Sequence, residues 1–335
     1  MSTVLDRLDR KGSAASVPQI PLPERVRLFF RLRPAAFATI LTVAMLAINI
    51  ALQPNFGPVQ QLAAFAPMAL AAMATAAAVV GGGIDLSISA QMTFASILLV
   101  GYLTPAGLGG YIAIPILLAA GALLGMLNGL LAVVLRLPPI VASLASMFIL
   151  TGVNLRLAPT PVILFDGWVL NLASQVWFIP GALLTIGLPL VLWSVFVRSA
   201  FGKNLYAVGG NDTTAFSAGV NVGLIRVTSY SIGGVIAAVG GIALTALVSS
   251  ADASTSSSYV IGAITAIALG GIVITGGRGG LLGAVAGAAV IFLVQNMLTL
   301  FNVSQVWLNL VFGALLLFAV ITGSIIAAPR KENNQ

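Results

Sequence analysis

The stretch LAAFAPMALAAMATAAAVVGGGIDLSISAQMTFASILLVGYL, residues 62–103, decides the fold class. Its first half is an apolar, alanine-rich run close to the length that crosses a bilayer, about 20 residues. Three glycines, residues 81–83, break that run, and a second apolar run begins at residue 86. One acid, Asp85, stands between them. A charge near hydrocarbon costs at least about 2.5–3.5 kcal/mol on insertion scales. The two runs are therefore two membrane spans or one broken unit, with Asp85 at the break.

The rest of the chain agrees. Hydrophobic residues make up 59% of its 335 residues and charged residues 7%, with a mean hydropathy of +1.09. A soluble chain carries about 25% charged residues. Most of this surface must face lipid, which excludes a soluble enzyme or a disordered protein. Histidine and cysteine are both absent. That removes Cys/His metal sites, disulfides, thiol nucleophiles and imidazole acid–base chemistry, so neither a catalytic nor a metal site is expected. Eight acids remain: Asp6, Asp9, Glu24, Asp85, Asp166, Asp212, Asp252 and Glu332.

Runs long enough to span predict ten segments: 35–52, 62–80, 86–103, 111–135, 138–155, 181–197, 227–248, 259–275, 281–300 and 306–325. With the N-terminus inside, 14 of the 15 basic residues fall on the inner side and only Arg156 outside. This asymmetry predicts an even span count and cytoplasmic termini. The expected fold is an all-α polytopic membrane protein of about ten transmembrane helices. It divides into a basic cytoplasmic tail (1–34), a transmembrane domain (35–326) and a short cytoplasmic tail (327–335). The tail segment RVRLFFRLRP (25–34) alternates basic and apolar residues, a pattern that lies on anionic lipid rather than nucleic acid. No secretory signal peptide is evident before the first apolar run.

Two long segments lie between spans. Residues 156–180, with Asp166, Trp168 and Trp177, are expected outside, the aromatics at the interface. Residues 198–226 are expected inside and are too polar to span. A short helix is expected after Asn211, capped by Asn211 or Asp212. A weak repeat matches GALLGMLNGLL (121–131) to GGLLGAVAGAA (279–289) in spans of opposite direction. It reads as an inverted repeat or as small residues that let helices pack closely.

Polar residues inside spans mark the candidate path. Asp85 is either a cap that stabilises the break or a path residue. Ser143, Ser146, Thr151 and Asn154 share one sector of span 5, which either packs span 5 or lines a solute path. Asn128 and Asn296 invite the same two readings. No ATP-binding loop is present; the nearest fragment, Gly202–Lys203, is followed by Asn204. Any ATPase must be another chain.

Four segments together resemble the permease subunits of ribose-type sugar ABC importers, within a larger group that includes branched-chain amino-acid permeases. They are GGGIDLS (81–87), NGLLAVVLRLPPIVASLASM (128–147), FGKNLYAVGGN with SAGVNV (201–211 and 217–222), and ALGGIVITGGRGGLLGAVAGA (268–288). The resemblance implies a multi-pass permease of the bacterial inner membrane that carries a neutral sugar-like solute and binds no cofactor itself. A second permease, identical or paralogous, would pair with it. Two ATP-binding cassette subunits would hold ATP and Mg, and a periplasmic solute-binding protein would deliver the cargo. Residues 201–222 map to the family's coupling segment, including Lys203, Asn204, Gly209, Gly210, Asn211, Asp212, Phe216 and Gly219. Where the family carries an acidic, alanine-rich stretch, this chain has Asp212, Thr213, Thr214, Ala215, Phe216 and Ser217. That departure suggests Phe216 as an apolar anchor. An ion-coupled secondary transporter with Asp85 as its ion site is the alternative. A membrane enzyme is disfavoured by the missing His and Cys.

Overall fold

A computed structural model describes residues 28–29, 33–53, 56–164, 167–254, 259–304 and 306–327. Most of the basic tail, Asp166 and the segment after residue 327 lie outside the described residues, as do the expectations placed on them.

The apolar runs fold as helices. They are α1 (Ala35–Leu52), α2 (Pro58–Val80), α3 (Ile88–Ile97, continued by a π-helical turn Leu98–Leu103), α4 (Ala113–Val133) and α5 (Pro139–Leu157). A short α6 (Gly167–Leu172) precedes α7 (Gly181–Phe196), α8 (Ala200–Gly210) and α9 (Asp212–Ser217). The chain ends with α10 (Val222–Val248), α11 (Tyr259–Leu269), α12 (Leu281–Leu300) and α13 (Val306–Ala327). Six of the described helices are long and apolar enough to cross a membrane, or seven if α7 and α8 form one bent unit. The helical parts of 88–103, 259–269 and 307–322 are apolar but shorter. The protein is thus an all-helical, multi-pass membrane protein, and the ten predicted runs each contain a helix.

Helix α2 is buried along nearly its whole length, whereas α1 and α5 expose most of theirs. Helix α10 runs through the centre against α2, α3 and α4, and α12 packs on α1, α2 and α11. The exposed apolar side chains of the outer helices, such as Phe148, Ile149, Leu192 and Leu317, face where lipid or another subunit lies. A smaller core at one end places Leu164 and Val169 against Leu117 and Ile242. There Val162–Ile163 pairs antiparallel with Ser250–Ala251, tying the 156–180 segment to the end of α10. Trp168 packs on Tyr111 with ring centroids 5.6 Å apart, while Trp177 is almost fully exposed.

Three boundaries differ from the expectation. The predicted span 259–275 is helical only to Leu269, because Gly270 abuts the backbone of Gly283 and Gly271 takes a left-handed φ of 73°. Helix α10 begins five residues before the predicted 227, where the Asn221 side chain accepts the Leu224 N–H. The 198–226 segment holds two helices, not one. Ser199 accepts the Gly202 N–H and starts α8, whose Leu205 and Val208 are buried; α8 leaves α7 at 88°. The glycines matched by the weak repeat also have different partners. Gly121 and Gly125 meet the backbone of Gly234 and Tyr230 on α10, but Gly283 and Gly287 meet Gly270 and Ala266.

Candidate coupling face and translocation path

Asp85 lies between α2 and α3 and is fully buried. Its Oδ1 accepts the Ser87 N–H at 2.9 Å, the Ser87 hydroxyl at 2.7 Å and the Asn128 amide at 2.8 Å. Gln91 donates to Oδ2 at 3.4 Å and to Ser87 Oγ at 2.8 Å, and Asn128 also donates to Ser87 Oγ at 2.7 Å. Four side chains from the break, α3 and α4 thus form one network. It holds the carboxylate by hydrogen bonds, with no cation among its partners. Asp85 does not cap the first turn of α3 directly; it fixes Ser87, the residue that begins it. Gln91 is a member that sequence reading missed. Its only signal was a lone amide in an apolar run, a pattern that many packing residues share.

The predicted path residues separate into groups. Asp85 and Asn128 are joined as described. Ser143 and Asn154 are fully buried: Ser143 bonds to Ile140 O in its own helix, and Asn154 donates to Ala90 O of α3 at 3.0 Å. Thr151 bonds to Met147 O, also within α5. Asn154 thus joins α5 to α3, whereas the Ser143 and Thr151 hydroxyls are satisfied within α5. Of this α5 sector, Ser146 lines a groove of about 570 Å³ shared with Ser87 and Gln91 and walled mainly by leucines of α4. Asn296 stands apart on α12 and donates to Gln61 Oε1 of α2 at 2.6 Å.

Asp85 also borders a narrow crevice. The crevice it lines with Thr75, Ser89 and Tyr259 holds about 10 Å³, room for roughly one water. A cavity of about 550 Å³ lies toward Gly82, Arg136, Arg226 and Tyr230, and another of about 530 Å³ lies toward Met68, Phe292 and Asn296. Because Asp85 Oδ1 accepts three hydrogen bonds of this buried network, Asp85→Asn is expected to lower membrane abundance at least as much as it alters solute preference. Quantitative immunoblotting beside uptake checks this; full abundance with changed preference would assign Asp85 to the path instead.

Three glycine-rich turns meet at one end of the bundle. Gly277 N–H donates to Val80 O at 3.1 Å, joining the α11–α12 turn to the end of α2. Gly209 of α8 sits between them: a Cβ there would collide with Val80 O and stand 2.6 Å from Gly277 N. A Cβ at Gly276 would stand 2.8 Å from both Gly209 O and Gly82 Cα. Tyr206, one turn earlier on α8, donates its hydroxyl to Gly279 O at 2.8 Å.

Helix α9 projects from this junction. Asn211 caps it by accepting the Thr214 N–H at 2.9 Å. Its end closes with Gly219 N–H to Phe216 O and Val220 N–H to Ala215 O, with Gly219 at φ 82°, a reversal that glycine allows. Asp212 pairs with Arg226 of α10 at 2.9 Å, so the acid in this segment is engaged within the chain. Ala215 faces inward, whereas Phe216 is 73% exposed. Of the other expected coupling residues, Lys203, Gly210 and Asn211 are exposed, and Asn204 is half-buried.

Six described helices of membrane length, with cavities toward both ends of α2, fit a membrane permease. The chain belongs to the family described as branched-chain amino acid transport system / permease component, which matches residues 57–320. It is similar to the galactose/methyl galactoside import permease protein MglC of Escherichia coli, 32% identical over 66% of this chain and 68% of that one. It is also 32% identical to the ribose import permease protein RbsC of Bacillus subtilis, over 72% and 76% of the two chains. The fructose import permease protein FrcC of Rhizobium meliloti is 28% identical over 95% of this chain and 88% of its own. No solved structure matches. The chain is a permease component rather than an enzyme, and these relatives give no support to the ion-coupled alternative.

Proposed function

We propose that the chain forms the translocation path of a binding-protein-dependent ABC importer for a neutral, sugar-like solute in the bacterial inner membrane. The names of its relatives support a sugar cargo: galactose, methyl galactoside, ribose or fructose. The absence of paired charges in the described spans favours a neutral solute. The charge asymmetry supports ten crossings with both termini in the cytoplasm, which makes 198–226 cytoplasmic and 156–180 extracytoplasmic. The weak match of residues 121–131 to 279–289, in spans of opposite direction, supports an inverted repeat.

The glycine junction carries this reading. Helix α9 presents Phe216 to an ATP-binding subunit, which holds ATP and Mg. Movement of α9 reaches the Asp85 break through α8, because Gly209 is wedged against Val80 and Gly277. Two such subunits, a second permease and a solute-binding protein complete the assembly. Nucleotide binding then shifts an inward/outward equilibrium through contacts that differ between its two states. Within the path, Asp85 and Asn128 form the buried network at the break, Ser146 and Asn296 touch open space, and Asn154 ties α5 to α3.

The test is reconstitution of the chain with its partner ATPase and binding protein in vesicles. ATP-dependent uptake of a labelled monosaccharide is expected. Uptake by the chain alone, driven by an ion gradient, would overturn the reading.

A further inference from the structure

The cavity at the end opposite the glycine junction has a lining suited to a particular solute chemistry. It holds about 530 Å³, within the range of small-molecule sites, about 300–1,000 Å³. Met68 of α2, Tyr259 of α11, Phe292, Gln295 and Asn296 of α12, and Asn309 of α13 line it, and no lining residue is charged. Amides both donate and accept hydrogen bonds, as sugar hydroxyls do, whereas an ion would find no counter-charge here. Tyr259 and Phe292 add apolar ring faces for the C–H side of a sugar ring. An acyl chain would leave the amides unpaired.

The cavity is also placed on the path. Tyr259 borders both this cavity and the narrow crevice that reaches Asp85, so it joins the two spaces. Asn296 is oriented by its hydrogen bond to Gln61 of α2, the helix that ends at Val80 in the junction. About 24 Å of helix separates Ala64, at this cavity, from Val80.

We propose that this cavity is a solute-binding vestibule for a neutral polyhydroxylated molecule of monosaccharide size. Asn296 and Gln295 hold its hydroxyls, and Tyr259 is the floor it must pass. The proposal rests on the importer reading, which makes this end extracytoplasmic.

The test uses the complete transporter in vesicles, with a panel of labelled pentoses and hexoses as probes. Asn296→Leu and Tyr259→Ala are expected to cut uptake about ten-fold while sugar-stimulated ATP hydrolysis continues, because solute contact is lost but coupling is not. Asn296→Gln is expected to retain uptake. The chain has no cysteine, so Thr299→Cys at the cavity wall provides a second readout that does not need the Leu variant to fold. An impermeant thiol reagent should label it from outside, and a transported sugar with the binding protein should slow that labelling. Unchanged uptake in both variants, or labelling indifferent to sugar, would overturn the vestibule. A wild-type complex that takes up no sugar would instead overturn the importer reading.

Discussion

Gly209→Val is expected to leave the chain in the membrane and to abolish ATP-driven uptake. The added Cβ would occupy the place of the Val80 carbonyl oxygen and crowd the Gly277 amide. Helix α8 must then move off the end of α2, and the Val80–Gly277 hydrogen bond at 3.1 Å is lost or stretched. Overpacking of this kind costs about 1–3 kcal/mol, enough to lower the amount of protein but not to prevent insertion of long apolar helices. Gly187, on α7, is the control. A Cβ there would meet nothing within 4 Å, so Gly187→Ala should transport close to the wild-type rate. Uptake and membrane abundance measured for both variants check this. Equal transport by both would show that the junction does not carry the coupling.

Removal of α9 is the second large effect. Deleting residues 211–219 is expected to abolish uptake while the protein still inserts, because this helix contributes only Ala215 to the core. The Asn211 cap and the Gly219 reversal close both of its ends, and outside the helix Asp212 pairs with Arg226. A less drastic change, Phe216→Asp, alters a 73% exposed side chain and should weaken ATPase association and reduce uptake about ten-fold or more. Normal uptake by the deletion would count against the coupling assignment, as would unchanged copurification of the ATPase with the aspartate variant.

Much of this arrangement can be read from the chain. The apolar runs place the helices because a bilayer demands one long internally bonded element per run. The cap at Asn211 is local chemistry, visible as an Asn before a short polar stretch. Asp85 and Asn128 are visible as polar residues in apolar runs. Their union is not, because it depends on how α4 docks on the break. The junction is hidden for the same reason. Gly81–Gly83, Gly209 and Gly277 are each ordinary turn or packing glycines locally, and only the tertiary structure brings three backbones into contact. The polar sector of α5 illustrates the converse. Spacing groups these polar residues on one face, but it cannot distinguish Asn154, bonded to Ala90 O, from Ser146, which opens on a groove.

The asymmetry of the 198–226 segment also has a physical cause. Residues 200–210 look too polar and too short to matter as an element, yet they form a helix because Ser199 caps it and Leu205 and Val208 find the core. That helix is the connection between the exposed Phe216 and the buried break at Asp85.

Cross-linking from position 216 tests the central claim most directly. In the naturally cysteine-free chain, Phe216→Cys should form a cross-link with the ATP-binding subunit in the assembled transporter and should resist an impermeant thiol reagent applied outside intact cells. Reaction with that reagent from outside, without any cross-link to the ATPase, would contradict the account.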